Sequence, residues 1–414
     1  MGRVVVIHPD LGVGGAERLI VDASKALQDC GHNVRIYTGY HDKTRCFEET
    51  RDGTLETITL GHWIPRTIFG KFHALLAYIK MIYIAFYLMR YSRHDLILCD
   101  QVSACIPFLK FLDFRNKCKI VFYCHFPDQL LTMRETLIKK IYRKPIDWFE
   151  EWSTSLADII LVNSEFTSSI VRQTFKSLQY RQLTVLYPCV DLKQFSAPIS
   201  TRSKSDHQTE SNSNHKPYIF LSLNRFERKK DLGLAIEALA SCKLALDKQE
   251  NPRPIDLMIV GGYDERLEDC VLYYEELVQQ AKKFGLDEFI TFIRSPRDDE
   301  KLKLLASCDA VIYTPKNEHF GIVPLEAMAM SKPVIASASG GPLETIADGH
   351  NGFLCSHDGN SFAEAMLKLH SDPELSALMG KNGLARVRKH FSYEVFCDRL
   401  NEICFDSTPK RSTR

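Results

Sequence analysis

Short apolar runs alternate with helical patterns along almost the whole chain, and this alternation constrains the fold more than any other feature. The first half contains VVVIH, NVRIYT, DLILCD, KIVFYCH and IILVNS, and the second half contains YIFLSLNRF, LMIVGG, FITFIRS and AVIYTP. Apolar runs of this length between helical patterns are typical of parallel sheets covered by helices. We therefore predict an α/β protein with two doubly wound parallel-sheet domains.

A polar stretch divides the two series. Residues 196–217 contain almost no large apolar side chains, which is typical of a linker or a loop. We predict an N-terminal domain over residues 1–195, a C-terminal domain over residues 218–390, and a last helix with a polar tail over residues 391–414. Since ligands bind beyond the carboxyl ends of parallel strands, we expect the site in a cleft between the domains, with the last helix returning to the first domain.

Composition excludes several classes of protein. The chain has 414 residues, of which 45% are hydrophobic, so it is long enough for two cores. The net charge of +1 gives no reason to expect a nucleic-acid partner. None of the thirteen cysteines forms a C-x-x-C pair and the N-terminus has no signal-peptide pattern, so we expect reduced thiols in the cytosol and no zinc finger.

Residues 69–93 do not fit the α/β alternation. The stretch from His73 to Met89 is strongly apolar, has basic residues at both flanks and contains Lys80. It is short for a membrane-spanning helix, so spanning, burial in the first domain and a position in the membrane interface all remain open. The interface fits best, with Lys80 extending its ammonium group toward the headgroups.

Glycines lie at two places where a strand leads into a helix. Gly14 and Gly15 in HPDLGVGGAERL would let a phosphate approach backbone N–H groups, although a plain tight turn explains them equally well. Gly340 and Gly341 precede Glu344 in a second candidate turn of this kind. His125 follows the strand KIVFYC and would face a ligand at the sheet edge, or else play a structural part.

Two cations stand at the start of the second domain. Arg225 and Lys230 lie five positions apart at a strand-to-helix turn, where they could neutralise a diphosphate or form a solvated basic turn. The chain has no D-x-D sequence, the usual sign of a metal-dependent glycosyl transfer. A diphosphate leaving group would therefore depend on the two cations, and we predict no metal site.

The stretch NEHFGIVPLEAM contains two glutamates eight positions apart. We predict a loop over residues 318–323 and a helix that begins at Pro324, which places Glu326 in its first turn. The amides around Ile322, Val323 and Glu326 would then bind a phosphate, Glu326 a ribose diol, and Glu318 another part of the ligand. A first-turn glutamate that only complements the helix dipole is the alternative.

These motifs, in this order, resemble those of retaining GT-B glycosyltransferases of family 4. More narrowly, CDQVSACIP, FYCHFPD, RKPIDWFEE and GGYDER resemble the eukaryotic α-1,3/α-1,6-mannosyltransferases of dolichol-linked oligosaccharide assembly. The resemblance implies a GDP-mannose donor, no required cofactor, and a dolichyl-pyrophosphate acceptor bearing Man1GlcNAc2, which receives two mannoses. It also implies work at the cytosolic face of the endoplasmic reticulum membrane, with other enzymes of the pathway as further candidate partners.

The resemblance also assigns roles to individual residues. Arg225 and Lys230 would hold the diphosphate, Glu326 the ribose and Glu318 the transferred mannose. Gly14 and Gly15 would lie against the donor phosphate, and His125 would contact the mannose near the reacting carbon. The alternatives are a family 4 transferase with another nucleotide sugar, an epimerase of the same architecture, and an inactive scaffold for glycosylation enzymes.

Overall fold

The computed structural model describes residues 1–68, 72–113, 118–131, 137–196 and 216–405. The predicted linker and the polar tail therefore lie almost wholly outside the described residues, as do residues 69–71 of the apolar segment. The chain forms two compact units. One comprises Met1–Cys189 together with the chain from Tyr393 onward, and the other comprises Val190–Ser392.

The described part of the first unit contains a seven-stranded parallel sheet. Its strands are, in chain order, β1 Arg3–His8, β2 Asn33–Thr38, β3 Glu56–Thr59, β4 Leu96–Asp100, β5 Lys119–Cys124, β6 Ile159–Val162 and β7 Thr184–Val185. Their order in the sheet is β3-β2-β1-β4-β5-β6-β7, so the direction of winding reverses between β1 and β4. Ligands bind at such reversals, at the carboxyl ends of the strands.

Helices cover both faces of this sheet. They are α1 Gly15–Asp29, α2 His73–Tyr91, α3 Ile106–Leu112, α4 Asp128–Leu131, α5 Leu137–Ser155 and α6 Glu165–Thr174. Successive side chains of β1 point to opposite faces, so Val4 and Val6 pack in one core with α1, and Val5 and Ile7 pack in another with α2. Burial on both faces explains why the strands are continuous apolar runs.

The second unit has a six-stranded parallel sheet in its described residues. Its strands are β8 Tyr218–Leu223, β9 Ile255–Gly261, β10 Ile290–Arg294, β11 Ala310–Tyr313, β12 Val334–Ser337 and β13 Gly352–Cys355, in the order β10-β9-β8-β11-β12-β13. The helices are α7 Leu192–Ser196, α8 Gly233–Leu246, α9 Glu268–Lys283, α10 Asp298–Ser307, α11 Val323–Ala329, α12 Pro342–Thr345, α13 Gly359–Ser371 and α14 Pro373–His390. The prediction of doubly wound sheets is confirmed.

The boundaries between the units differ slightly from the predicted ones. The first unit ends at Cys189 rather than at residue 195, because α7 packs against α11 of the second unit. The Val190 amide also donates to the Phe391 carbonyl, at 2.9 Å. The last helix, α15 Tyr393–Phe405, packs against α1, and its Tyr393 hydroxyl donates to Asp29. The chain thus returns to the first unit as predicted.

Helix α2 accounts for the described part of the apolar segment. By length and composition it could cross a membrane, yet Met81, Ile84 and Leu88 of one face are buried in the core of the first unit. The predicted outward extension of Lys80 is wrong, because Lys80 is on the buried side and only 5% exposed. The other side carries an exposed apolar stripe of Leu75, Ile79, Tyr83 and Phe86.

Helix α5 has a similar outward side that the sequence analysis did not identify. At about 100° per residue, residues 137, 140, 141, 144 and 148 fall on one stripe. These residues are Leu137, Lys140, Ile141, Lys144 and Trp148, and all of them are exposed. Apolar residues interleaved with lysines are typical of a helix that lies on a membrane surface.

Candidate active site

The loop after β8 carries both predicted cations. Arg225 follows Asn224 at the end of the strand, and its guanidinium contacts Glu227 at 2.9 Å while remaining 65% exposed. A Cβ at Gly261 would overlap the Asn224 carbonyl, so a glycine at the end of β9 allows this close approach. The side-chain nitrogen of Asn224 is buried and has no hydrogen-bond partner among the described residues.

Lys230 is held deeper in the same unit and contacts one of the predicted glutamates. Its ammonium group forms an ion pair with Glu318, in which both side chains are mostly buried. Thr314, just beyond β11, donates from its hydroxyl to the Lys230 carbonyl at 2.6 Å. The end of β11 thereby fixes the lysine, and the structure brings Lys230 and Glu318 together.

A hydrogen-bond network extends from this lysine to the next two strands. His357 contacts Asp231, the residue after Lys230, at 2.8 Å, and its other ring nitrogen contacts the Ser337 hydroxyl at 2.9 Å. Ser337 donates in turn to the Thr314 carbonyl. The network holds the carboxyl ends of β11, β12 and β13 and the lysine loop in one arrangement.

The second glutamate, Glu326, is held by a different lysine. Glu326 accepts a hydrogen bond from Lys301 at 2.7 Å, and its other carboxylate oxygen is buried with no hydrogen-bond partner in the described residues. Burial raises the pKa of Tyr313 well above its usual value, and the charges of Glu318 and Glu326 add to the effect. One buried tyrosine ring therefore lies near both carboxylates, where an unpaired oxygen is suited to a ligand hydroxyl.

The predicted helix is confirmed, but one of its predicted anion donors is not free. Helix α11 begins at Val323, with Pro324 next. The Glu326 amide donates to the Ile322 carbonyl at 3.1 Å, because it already lies within the first helical turn. The amides of Ile322 and Val323 have no hydrogen-bond partner among the described residues and are the remaining candidates for a phosphate.

The turn at Gly340 and Gly341 supports the loop that carries Glu318. The Gly341 amide donates to the Glu318 carbonyl at 2.8 Å, and Gly340 has a φ of +65°, which favours glycine. A Cβ at Gly341 would overlap the backbone of Phe320. This glycine pair, predicted as a phosphate contact, thus packs against the glutamate loop.

Replacing Gly341 with alanine is expected to displace this loop. Since the Cβ meets rigid backbone, we expect a loss of about 1–3 kcal/mol in stability and a fall in kcat of about 10-fold or more from misplacement of Glu318. Denaturant unfolding and steady-state kinetics measure the two effects. Gly380→Ala is a matched control, because its Cβ would overlap the Ser331 carbonyl at the far end of α11. Equal losses of kcat in both variants would contradict the proposed support.

The two glycines predicted to contact a phosphate in the first unit lie at the start of α1. Gly14 is the residue before the helix, and a Cβ at Gly15 would meet nothing within 4 Å. The carboxylate of Glu17 lies directly beside Gly14. A phosphate at this turn would meet that negative charge, so the Glu17 side chain must turn away for the predicted contact to form.

His125 belongs to a cluster at the carboxyl ends of three adjacent strands. Its Nε2 contacts Asp100 at 2.8 Å, and His8 Nδ1 contacts the other oxygen of Asp100 at 2.7 Å. His8 and Asp100 are fully buried, whereas the His125 side chain is partly exposed. Burial favours a raised pKa for Asp100, but the two imidazoles, chiefly His125, outweigh it and lower the pKa below the usual value.

The charged Asp100 carboxylate fixes the orientation of the His125 ring. Because a carboxylate only accepts, Nε2 of His125 must carry the proton in this contact, which leaves Nδ1 for a ligand. Asn163, after β6, donates to the His125 carbonyl at 3.3 Å. His125 is therefore held through its ring by Asp100 on one side of its strand and through its carbonyl by Asn163 on the other.

Helix α5 holds the loop that follows His125. Glu150 accepts from the amides of Asp128 and Gln129, at 2.7 and 3.2 Å, and buried Arg143 donates to Asp128. Burial raises the pKa of Glu150 to about 8, and Asp128 adds to the shift. The inner side of α5 thus anchors this loop, while its outer side is the exposed stripe of apolar and lysine residues.

One group of possible metal ligands occurs among the described residues, away from this cluster. Ligand atoms of His94, Asp113 and Cys118 lie within 4.8 Å of one another. His94 Nε2 contacts Asp113 at 2.9 Å, and both side chains are buried. Because His94 precedes β4, the group lies at the amino edge of the sheet, opposite to His125.

Comparison with known proteins identifies the family. Residues 13–194 match the model of Glycosyltransferase Family 4, and residues 203–386 match that of Glycosyl transferases group 1. The α-1,3/1,6-mannosyltransferase ALG2 of Homo sapiens is 46% identical over 96% of this chain and 94% of its own length. The ALG2 proteins of Dictyostelium discoideum, at 44%, and Saccharomyces cerevisiae, at 39%, cover 97% and 96% of this chain and 97% and 84% of their own lengths.

The chain belongs to the α-1,3/1,6-mannosyltransferase ALG2 family. Solved structures show its fold. A sucrose-phosphate synthase from Thermosynechococcus elongatus has a TM-score of 0.73 at 22% identity, covering 97% of this chain and 98% of that one. WaaG, a glycosyltransferase of lipopolysaccharide biosynthesis, has a TM-score of 0.66 at 16% identity, covering 97% and 99%. With its two parallel-sheet units, this ALG2 family member has the GT-B architecture expected from the motifs.

Several residues of this ALG2 family member were missed by the sequence analysis. Asp100 and Thr314 end or follow apolar strands, in DLILCD and AVIYTP, and polar residues at that position are a readable signal of the ligand-binding edge. Lys301 offered no such signal, since it is one of several charged residues near the start of a helix. Its contact with Glu326 depends on tertiary packing.

Proposed function

We propose that the protein is a retaining mannosyltransferase that uses GDP-mannose as donor. The acceptor is a dolichyl-pyrophosphate-linked Man1GlcNAc2, which receives an α-1,3 and an α-1,6 mannose to give the Man3GlcNAc2 precursor of N-glycans. The observation that carries this proposal is the similarity, over nearly the full chain, to relatives named α-1,3/1,6-mannosyltransferase. The mostly buried pair of Lys230 and Glu318 also supports the proposal. The pair provides, in one place, a cation for the diphosphate and a carboxylate that can accept hydrogen bonds from sugar hydroxyls.

The donor diphosphate lies against the cations of the second unit in this proposal. Lys230 and Arg225 neutralise the negative charge that develops on the departing GDP, so the transfer needs no metal ion. The free Ile322 and Val323 amides bind phosphate oxygens. When the diphosphate takes Lys230, Glu318 is released to accept from hydroxyls of the transferred mannose.

Other residues contact the ribose, the phosphate and the mannose of the donor in this proposal. The unpaired oxygen of Glu326 accepts from the ribose diol, and Lys301 orients this carboxylate by contacting its other oxygen. Gly14 and Gly15 approach the donor phosphate from the first unit. His125, oriented by Asp100, contacts the mannose near the reacting carbon.

The chemical step exchanges one bond at the anomeric carbon for another on the same face. The bond between that carbon and the phosphate oxygen breaks while the bond to the acceptor oxygen forms. The acceptor proton passes to the departing diphosphate. Stabilisation of the departing charge by the cations is the largest contribution to the rate.

Counting the transferred mannoses tests the function. The purified protein is incubated with labelled GDP-mannose and lipid-linked Man1GlcNAc2, and the products are separated by size. We expect two additions and none with UDP-N-acetylglucosamine. Transfer from the other nucleotide sugar would favour a different family 4 transferase, and no transfer from either would favour a scaffold.

We also propose that the first unit lies on the cytosolic face of the endoplasmic reticulum membrane. The exposed stripes of α2 and α5 support this contact, because both helices present apolar side chains outward and α5 adds Lys140 and Lys144. The inner sides of the helices meet in a small apolar cluster that includes Tyr78 and Ile146. The two stripes therefore belong to one packed part of the unit.

Removing charge from α5 is expected to weaken membrane binding. Each lysine near an anionic surface contributes about 1 kcal/mol, so Lys140→Gln with Lys144→Gln should lower vesicle affinity by about 30-fold. Flotation with vesicles containing anionic lipid measures the effect. Lys282→Gln with Lys283→Gln, at the end of α9 in the second unit, is the control. Unchanged flotation of the α5 variant would contradict a contact through this helix.

A further inference from the structure

A cavity of about 450 Å³ lies beside the end of β1 in the first unit. Its lining includes Asp10, Tyr40, Arg66, His73 and Lys80. Pro9, which also lines it, directly follows His8, the partner of Asp100 in the His125 cluster. The cavity is therefore at the carboxyl edge of the sheet, next to the His125 cluster.

Lys80 makes this cavity a candidate anion site. It is only 5% exposed, and it has no ion pair or hydrogen bond in the described part of the chain. Burial lowers the pKa of Lys80, and the positive charge of Arg66 lowers it further. Lys80 thus lines the cavity as a cation without a counterion among the described residues, an arrangement that suits a negatively charged ligand.

The other charges around the cavity leave the lysine uncompensated. Asp10 forms an ion pair with Arg66, whose guanidinium also lies over the Tyr40 ring at 3.8 Å. Arg66 thus has its own counterion and a fixed orientation. The Lys80 charge adds to this neutral pair, so the lining as a whole carries an excess positive charge that suits a phosphate.

The position on α2 indicates what the phosphate is attached to. His73, Ala77 and Lys80 line the cavity from one side of the helix, while Leu75 and Ile79 on another side belong to the exposed apolar stripe. Helix α2 thus presents a cation to the cavity and apolar side chains to solvent. A phosphorylated lipid, which joins an anionic group to apolar chains, has matching chemistry.

We propose that this cavity binds the phosphate group of a lipid, with Lys80 and Arg66 as its ligands. The proposal rests on the proposed function, in which the acceptor is a lipid pyrophosphate. The same chemistry is present in membrane phospholipids, so the source must be distinguished by experiment. No residue of the proposed donor site takes part in this phosphate site.

The first arm of the test uses kinetics with two acceptors. Lys80→Met and Arg66→Gln are compared with Lys25→Met on α1, which covers the opposite face of the sheet. If the acceptor pyrophosphate is the ligand, both cavity variants should raise KM for the lipid acceptor by about 10-fold or more, the effect of losing a charged hydrogen bond. The free trisaccharide, which lacks pyrophosphate, should show unchanged kinetics, as should GDP-mannose.

The second arm measures flotation with vesicles of phosphatidic acid and phosphatidylcholine. A loss of flotation in the cavity variants, with KM for the acceptor unchanged, would assign the site to a membrane phospholipid. Unchanged KM together with unchanged flotation would overturn the proposal. Because Arg66 is half-exposed, Arg66→Gln keeps the test valid if Lys80→Met fails to fold.

A third measurement separates this inference from the proposed function. Calorimetry with inorganic pyrophosphate, in the presence of saturating GDP, should show weaker binding to Lys80→Met than to the parent protein. If the parent protein binds pyrophosphate through Lys80 but transfers no mannose, the proposed function fails while the phosphate site stands. If the parent protein transfers mannose, but neither KM, flotation nor pyrophosphate binding changes in the Lys80 and Arg66 variants, the phosphate site is wrong and the proposed function stands.

Discussion

Replacing Lys230 with alanine is expected to lower kcat for mannose transfer by about 100-fold or more, the effect of removing one key charge-stabilising donor. The lysine side chain is mostly buried, and the Thr314 hydroxyl holds its carbonyl, so the ammonium group has a defined position beside Glu318. The variant also leaves Glu318 without its partner. Steady-state kinetics with the lipid-linked acceptor measures the change.

The preceding residue is a matched control for this substitution. Lys229 has the same charge in the same loop, but it is 67% exposed and pairs with Glu227. We expect Lys229→Ala to retain at least half of the parent activity, since exposed ion pairs contribute little. Near-normal turnover in Lys230→Ala would remove the lysine from the proposed mechanism.

Replacing Glu318 with glutamine is expected to lower kcat by about 10- to 100-fold while GDP affinity stays within a few-fold of the parent value. In the proposed mechanism its partner is the sugar, and GDP carries no sugar. Losing the carboxylate even frees Lys230 from its ion pair, so GDP binding should not weaken. Kinetics gives kcat, and calorimetric titration with GDP gives the dissociation constant.

An exposed glutamate provides the comparison for Glu318→Gln. Glu276 pairs with Arg228 on the surface of the same unit, and Glu276→Gln should leave both quantities unchanged. A large loss of GDP affinity in Glu318→Gln would assign this carboxylate to the nucleotide instead of the sugar. A normal kcat would exclude it from the reaction.

The alternation of apolar runs predicted both sheets because their central strands are buried on two faces and are therefore apolar almost throughout. The helix at Pro324 was equally predictable, because proline suits the first turn and excludes earlier helix. The end of the first unit at Cys189 was not predictable from sequence, since it depends on the packing of α7 against α11. A short polar helix carries no signal of which unit it will join.

Charged residues show a sharper division between what sequence predicts and what it does not. The strand-end position of His125 indicated a ligand-facing imidazole, but its orientation by Asp100 and His8 requires the strand order β1-β4-β5. Lys80 was predicted to extend outward, because basic residues in apolar helices usually do so. In the structure the Lys80 side chain instead lines the cavity beside β1, and no local sequence pattern indicates that this cavity exists.

In the proposed mechanism, the ion pair of Lys230 and Glu318 also affects which anions can bind. The site carries its own counterion, so an incoming anion must displace a carboxylate before it gains the lysine. Under this mechanism, free phosphate would contact only the cation, whereas a nucleotide sugar offers a diphosphate to the cation and hydroxyls to the released carboxylate together. We therefore expect the pair to disfavour small anions and to favour a ligand that satisfies both partners at once.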